Sequence, residues 1–271
     1  MAIINKFCLN SENIEVIKAL DQDGYVVFEN IFSDYEVNQI KQIFYNDFPK
    51  ECIKRENGSS ILPNASHVLE NFQDHVVLNK NLLFAMKKVF NNEEFAYTSH
   101  SDMHINVSSP WHKDDGGGKY FAGLDNYFDS NICKVFKIGL YLRDCSKFGG
   151  LTIKKGSHLK KDIRFGEEQY LPSKAGDIVI FDVRITHKGD SKSKTGIISR
   201  LIDKLNFKEK KQNISYERLS CFFTFGLNNI YTQTFAEKNM NRQVIDKSDK
   251  FLSMPKRFRS LLIENGISVY F

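Results

Sequence analysis

The chain has 271 residues, of which 41% are hydrophobic and 13% aromatic, and its formal net charge is +5. A composition this apolar excludes a disordered chain, and a charge this small, spread along the sequence, does not indicate a nucleic-acid-binding protein. The five cysteines lack a C-x-x-C spacing, and the sequence shows neither a signal peptide nor a membrane span, so we expect a cytoplasmic protein without disulfides, nucleic-acid partners or membrane partners.

The first 94 residues have the patterns of helices with one strand among them. Ser33 has Glu36 three residues later, which predicts a capping box at the start of a helix. Val37 and Ile40 continue that helix with apolar spacing. The other predictions are a capped helix from residue 11, a strand over 24–28, irregular structure over 50–80 and a helix over 82–90.

From about Phe95 the pattern changes to short apolar runs bounded by turn residues. This pattern predicts the strands of an antiparallel sandwich or barrel. The runs are AYTSHSDMHINV, VFKIGLYLR, GLTIKK, DIVIFDV and RLSCFFTFG.

We expect one domain over residues 1–271, because no internal repeat or linker rich in Pro or Gly divides the chain. Residues 1–94 would form the N-terminal helices and first strand, and 95–226 the sheet core. The Lys- and Ser-rich segment 188–217 looks like an insertion in that core. Residues 227–271 would form a helical C-terminal cap.

Two H-x-D pairs stand close together, His100-Ser-Asp102 and His112-Lys-Asp114. Each offers an imidazole nitrogen and a carboxylate oxygen, and His187 at the end of an apolar strand offers a second imidazole. Two histidines and one carboxylate on a β-scaffold form the facial triad of non-heme Fe(II) oxygenases. On the residues alone, either pair could complete such a site.

The order of the sequence boxes resembles the phytanoyl-CoA dioxygenase-like (PhyH) family of Fe(II)/2-oxoglutarate-dependent oxygenases, over roughly residues 12–226. The boxes are DQDGYVVFENIFSDYEVNQIKQIF, WHKDD, LYLRDCSKFGGLTIKKGSH, GDIVIFDVRITHKGD and RLSCFFTFG. The resemblance implies a mainly β fold with flanking helices, a double-stranded β-helix (jelly roll, cupin-like). It also implies that Fe(II), the cosubstrate 2-oxoglutarate and O₂ are used.

Carried over to this sequence, the family pattern gives His112, Asp114 and His187 as the iron ligands. Arg218 would bind the distal carboxylate of 2-oxoglutarate, and Asn106 resembles an asparagine that touches the cosubstrate in some relatives. The spacing from His187 to Arg218 is longer than the corresponding spacing in the family. Arg200 is therefore an alternative residue for binding the distal carboxylate of 2-oxoglutarate. Because 188–217 would join two active-site residues, we expect it to be a lid.

The resemblance implies a dioxygenase that hydroxylates an unactivated C–H bond of a small-molecule metabolite while 2-oxoglutarate is decarboxylated to succinate. The same iron site could serve desaturation or epimerisation, and an inactive jelly-roll binding protein is the alternative outside enzymes. The basic balance and the Lys-rich segment favour an anionic substrate. For the glycine-rich residues 115–119, a mobile loop over the iron and a plain surface turn are equally expected.

Overall fold

Two packed sheets form the centre of the protein. The computed structural model describes residues 4–124, 126–145, 149–189, 217–246, 251 and 253–270. The strands are β1 Lys6–Phe7, β2 Tyr25–Phe28, β3 Ile53–Lys54, β4 Ser60–Leu62, β5 Phe95–Ile105, β6 Ser109–His112, β7 Val135–Tyr141, β8 Leu151–Lys155, β9 Glu167–Leu171, β10 Ile178–Asp182, β11 His187–Gly189, β12 Leu219–Leu227 and β13 Ser268–Val269.

The larger sheet has nine strands among the described residues, and the smaller has four. The larger runs β1-β2-β10-β7-β12-β5-β4-β3, with β13 pairing parallel to β5, and the smaller runs β6-β11-β8-β9. One apolar cluster joins both sheets, since it includes Tyr141 and Phe222 of the larger and Leu151 and Leu171 of the smaller. This arrangement confirms the predicted mainly β, jelly-roll, cupin-like fold.

Helices cover the larger sheet. They are α1 Asn13–Asp23, α2 Asp34–Asn46, α3 Phe48–Glu51, α4 Ala65–Val68, α5 Glu70–Phe72, α6 Lys80–Val89, α7 Ile230–Asp246 and α8 Lys256–Glu264. The largest apolar cluster extends from Val16 to Ile267, so the N-terminal and C-terminal helices share one core with the sheet. No described helix is long and apolar enough to cross a membrane.

The structure differs from two of the sequence predictions for the N-terminal region. Residues 50–80, expected to be irregular, contain the β3–β4 hairpin and several short helices. The helix α1 begins after Glu12, and no side chain caps it, because the Ser11 hydroxyl instead accepts a hydrogen bond from the Cys8 N–H. The predicted lid over 188–217 falls almost entirely outside the described residues.

The capping box at Ser33 is present as predicted. The Ser33 hydroxyl accepts from the Glu36 N–H at 3.3 Å, and the Glu36 carboxylate accepts from the Ser33 N–H at 2.8 Å. We therefore expect Ser33→Ala to lower the free energy of unfolding by about 1 kcal/mol. Urea unfolding would measure the change. Ser11→Ala is the control, since it removes no helix cap, and an equal loss in both variants would contradict the role of the box.

Candidate active site

Two predicted ligands are direct partners in the smaller sheet. His112 ends β6 and His187 begins β11, and the two residues face each other in the antiparallel register. Their ring centroids lie 4.3 Å apart. Asp114 follows β6, and its N–H donates to the Val183 carbonyl at 2.8 Å, which ties it to the turn between β10 and β11.

One metal-binding donor atom from each of His112, Asp114 and His187 lies within 4.8 Å of the other two. Among the described residues, no other group of three such donor atoms is this close together. Nε2 of His112 lies 3.6 Å from one Asp114 oxygen, and Nε2 of His187 lies 3.3 Å from the other. This arrangement has the donor types and the compactness of a metal site with open positions.

Backbone carbonyls set the tautomer of both histidines. Nδ1 of His112 contacts the Pro110 carbonyl at 2.8 Å, and Nδ1 of His187 contacts the Ile185 carbonyl at 3.1 Å. Because a carbonyl only accepts, Nδ1 carries the proton in each ring. In the neutral ring Nε2, the nitrogen that points toward Asp114, is then the atom available to a metal, as metal-binding imidazoles require.

Lys137 of β7 lies beside the carboxylate of this group. Its Nζ is 2.8 Å from Oδ2 of Asp114, and both side chains are largely buried. Burial by itself would raise the pKa of Asp114, but the Lys137 ammonium and the His187 ring hold that pKa well below its ordinary value. Asp114 is therefore ionised and ready to bind a cation.

Lys113, between the two ligand positions, fixes the local backbone. Its buried ammonium donates to the Ser157 carbonyl at 2.7 Å and to the Arg184 carbonyl. Burial lowers the pKa of Lys113 to about 8. The guanidinium of Arg184 is in turn held by Asp182 through two hydrogen bonds at 2.9 and 2.6 Å. These bonds connect the segment carrying His112 to the turn that leads into His187.

Arg218 lies just before β12 and is buried. Its guanidinium donates to the Val107 carbonyl and to the Tyr141 hydroxyl, the latter at 3.3 Å. Its Nε has no hydrogen-bond partner among the described residues, although the side chain lines the same cavity as Asp114. A buried donor without a partner costs free energy, so this cavity wall suits an anion. Arg200, the alternative anchor, lies outside the described residues.

Asn106 adopts a left-handed conformation with φ of 55° after β5. Its side-chain oxygen accepts from the Arg218 N–H at 2.9 Å, and its own N–H donates to the Arg218 carbonyl at 3.0 Å. Asn106 thus holds the backbone of Arg218 in place. Contact between Asn106 and the cosubstrate stays a prediction.

The competing pair, His100 and Asp102, lies on β5 in the same cavity. Nε2 of His100 is 3.3 Å from Asp102, and its Nδ1 contacts the Thr224 hydroxyl at 3.0 Å. His104 is 3.8 Å from Asp102. Among the described residues, this group does not bring three donor atoms as close together as the group around Asp114 does.

The cavity that contains both groups has a volume of about 370 Å³. Sequence reasoning missed several of its polar residues: Arg55, Lys137, Asn239 and Arg242. Lys137 had a readable signal, since it is the one charged residue inside the apolar run Val135–Tyr141. The others come from a hairpin and from α7, and nothing in the local sequence links them to the metal ligands.

The glycine-rich turn after Asp114 is tied down by Asp115. That carboxylate accepts from the Gly117 N–H at 2.9 Å and from the Tyr127 hydroxyl at 3.2 Å. The three glycines at 116–118 all have positive φ, which side-chain-bearing residues rarely adopt. Gly116 lines the cavity, so this turn forms part of the wall beside the ligands.

A comparison with family models identifies the chain. The model for phytanoyl-CoA dioxygenase (PhyH) matches residues 20–196, well over half of the sequence. The chain belongs to the PhyH family. This confirms the predicted family and, with it, an Fe(II)/2-oxoglutarate-dependent oxygenase type of enzyme, whose family uses Fe(II), 2-oxoglutarate and O₂. No curated protein shows a significant match to this sequence.

Solved structures agree on the fold. HygX from Streptomyces hygroscopicus, with nickel and 2-oxoglutarate bound, is 16% identical with a TM-score of 0.58, covering 79% of this chain and 86% of that one. The α-ketoglutarate-dependent carbocyclase SnoK from nogalamycin biosynthesis is 14% identical with a TM-score of 0.57, covering 78% and 82%. The epimerase SnoN from the same biosynthesis is 14% identical with a TM-score of 0.56, covering 79% and 82%.

Proposed function

We propose that this PhyH-family protein is a hydroxylase that uses Fe(II), 2-oxoglutarate and O₂ to oxidise an unactivated C–H bond of a small-molecule metabolite. The observation that carries the proposal is the convergence of His112, Asp114 and His187 in a cavity that Arg218 also lines. In the proposed reaction the substrate, 2-oxoglutarate and O₂ become the hydroxylated substrate, succinate and CO₂.

In this proposal the Nε2 atoms of His112 and His187 and one oxygen of Asp114 bind the iron. The donor set fits, since imidazole and carboxylate hold Fe(II) on one face and leave the other positions open. When bound, the iron supplies the oxidising chemistry, and the protein supplies ligands and orientation. Lys137 keeps Asp114 ionised and restrains the orientation of its carboxylate.

Arg218 would bind the distal carboxylate of 2-oxoglutarate. A planar guanidinium can donate two parallel hydrogen bonds to a carboxylate, and its buried Nε has no described protein partner. The hydrogen bonds to Val107 and Tyr141 fix the orientation of the guanidinium. Asn106 would help to position Arg218 through its two hydrogen bonds to the Arg218 backbone. We also propose that Asn106 contacts the cosubstrate directly.

Product analysis tests the proposed outcome. Purified protein with Fe(II), 2-oxoglutarate and ¹⁸O₂ would be assayed for succinate formation across a panel of metabolites. The mass of each product would then be measured by mass spectrometry. Hydroxylation adds one labelled oxygen atom to the product. Desaturation removes two hydrogens, and epimerisation leaves the mass unchanged, so either result would replace hydroxylation with that reaction.

A simpler measurement distinguishes the proposed enzyme from the alternative, an inactive jelly-roll binding protein. Anaerobic Fe(II) with 2-oxoglutarate is expected to give a weak visible charge-transfer band in this protein. A protein that kept the jelly roll without the chemistry would give none. Absence of the band at saturating iron and 2-oxoglutarate would reject the proposed function.

A further inference from the structure

The cavity around the proposed iron site contains more positive than negative side chains. Its cations are Arg55, Lys113, Lys137, Arg218 and Arg242, and its carboxylates are Asp102 and Asp114. This leaves a formal excess of three positive charges. Fe(II) carries two positive charges and 2-oxoglutarate two negative ones, so loading both leaves the excess unchanged.

Three of the five cations already have assigned contacts. Lys137 pairs with Asp114, and Lys113 donates to the backbone carbonyls of Ser157 and Arg184. Arg218 is the proposed anchor of the cosubstrate. These three side chains are therefore poor candidates for binding a further anion.

Arg55 and Arg242 are different. Among the described residues neither has a carboxylate partner, and both are exposed while lining the same cavity as the buried His187. Arg55 lies in the β3–β4 hairpin, where its N–H donates to the Ser59 carbonyl at 2.9 Å. Two uncompensated guanidiniums thus stand at the mouth of a cavity whose interior holds the proposed iron ligands.

Arg242 is also held in place. Its guanidinium lies 5.9 Å from the centre of the Tyr120 ring and donates to the Asn239 side chain at 3.3 Å. Tyr120 and Asn239 line the cavity themselves. The Arg242 guanidinium donates to no other described residue, so its remaining N–H groups can donate to a ligand.

We infer that Arg55 and Arg242 bind an anionic group, a carboxylate or a phosphate, of the metabolite whose C–H bond is oxidised. This inference rests on the proposed function, since it assigns the substrate class of that same site. A guanidinium matches both oxyanions through paired hydrogen bonds. The anionic end would be held at the mouth, and the rest of the molecule would extend inward toward the proposed iron ligands.

The test uses the protein loaded with Fe(II) and 2-oxoglutarate under argon, with sulfate as the tetrahedral dianion and acetate as the carboxylate. Calorimetric titration at constant ionic strength measures binding of each probe, and the visible band reports whether a probe displaces 2-oxoglutarate or reaches the metal. We expect at least one probe to bind without changing the band. The preferred probe distinguishes a phosphate-bearing from a carboxylate-bearing substrate.

The Arg55→Gln/Arg242→Gln double variant is expected to bind the probe about tenfold more weakly, as two solvent-accessible charge pairs would predict. Arg164→Gln is the matched control, because Arg164 is an exposed arginine paired with Asp162 outside the cavity. The control should keep wild-type affinity. Equal affinity in the double variant and wild type, or no binding of either probe to the loaded protein, would overturn the inference. A probe that binds only by displacing the band would also overturn it. Absence of the band before any probe is added would instead reject the proposed function.

Discussion

Asp114→Ala is expected to abolish stoichiometric Fe(II) binding, a loss of more than about 100-fold in affinity, while Asp102→Asn retains it. Changes to groups that only support metal ligands already cost about 10- to 100-fold, and Asp114 would be a ligand itself. Asp102 instead accepts from the backbone N–H of Asn64 at 3.3 Å, and its Oδ2 lies 3.3 Å from Nε2 of His100 and 3.8 Å from Nε2 of His104. The amount of iron retained after anaerobic desalting would measure Fe(II) binding in both variants.

Folding must be checked, because Asp114→Ala leaves the Lys137 ammonium largely buried without its counter-charge. The double variant Asp114→Ala/Lys137→Met removes both charges and is expected to fold while still failing to bind iron. If iron were retained by the Asp114 variants and lost in Asp102→Asn, the metal site would move to the pair on β5.

Arg218→Ala is expected to weaken 2-oxoglutarate binding by about 10- to 100-fold, with iron affinity nearly unchanged. A charge-assisted hydrogen-bonded contact contributes roughly 1.5–3 kcal/mol, and about 1.4 kcal/mol corresponds to tenfold in affinity. Arg218→Lys keeps the charge but loses the paired donors, so an intermediate loss is expected. Titration of the visible band with 2-oxoglutarate under argon measures each variant.

Two further variants separate the role of Arg218 from general effects on the fold. Tyr141→Phe removes one hydroxyl that accepts from Arg218 and is expected to weaken 2-oxoglutarate binding only a few-fold. Arg200→Ala is expected to change it little. A larger loss for Arg200→Ala than for Arg218→Ala would reassign the anchor to Arg200.

The strands of the core could be read from the sequence because burial and turn residues act locally. The apolar runs from Phe95 onward became β5, β7, β8, β10 and β12. The capping box at Ser33 was also readable, since both partners lie within three residues. The start of α1 was not, because the Ser11 hydroxyl has a competing backbone donor at Cys8.

Residues of the candidate site could be predicted from the sequence only where they belong to the sequence boxes shared with the family. His112, Asp114, His187 and Arg218 were named from sequence, and the structure brings all four to one cavity. Arg242 could not be named, because its place at the cavity depends on how α7 docks beside the turn that carries Tyr120. Such docking is decided by tertiary packing between segments distant in sequence, which local patterns do not encode.

The strands that end the two sheets also limit how copies of this chain can pair. The larger sheet ends in the two-residue strands β1 and β3, which contain Lys6 and Lys54. The smaller ends in β6, which contains Pro110, and in β9, which begins with two glutamates. Short length, charge and proline each oppose strand addition at an edge. Edge-to-edge growth into larger β-aggregates is therefore disfavoured at all four of these sheet margins.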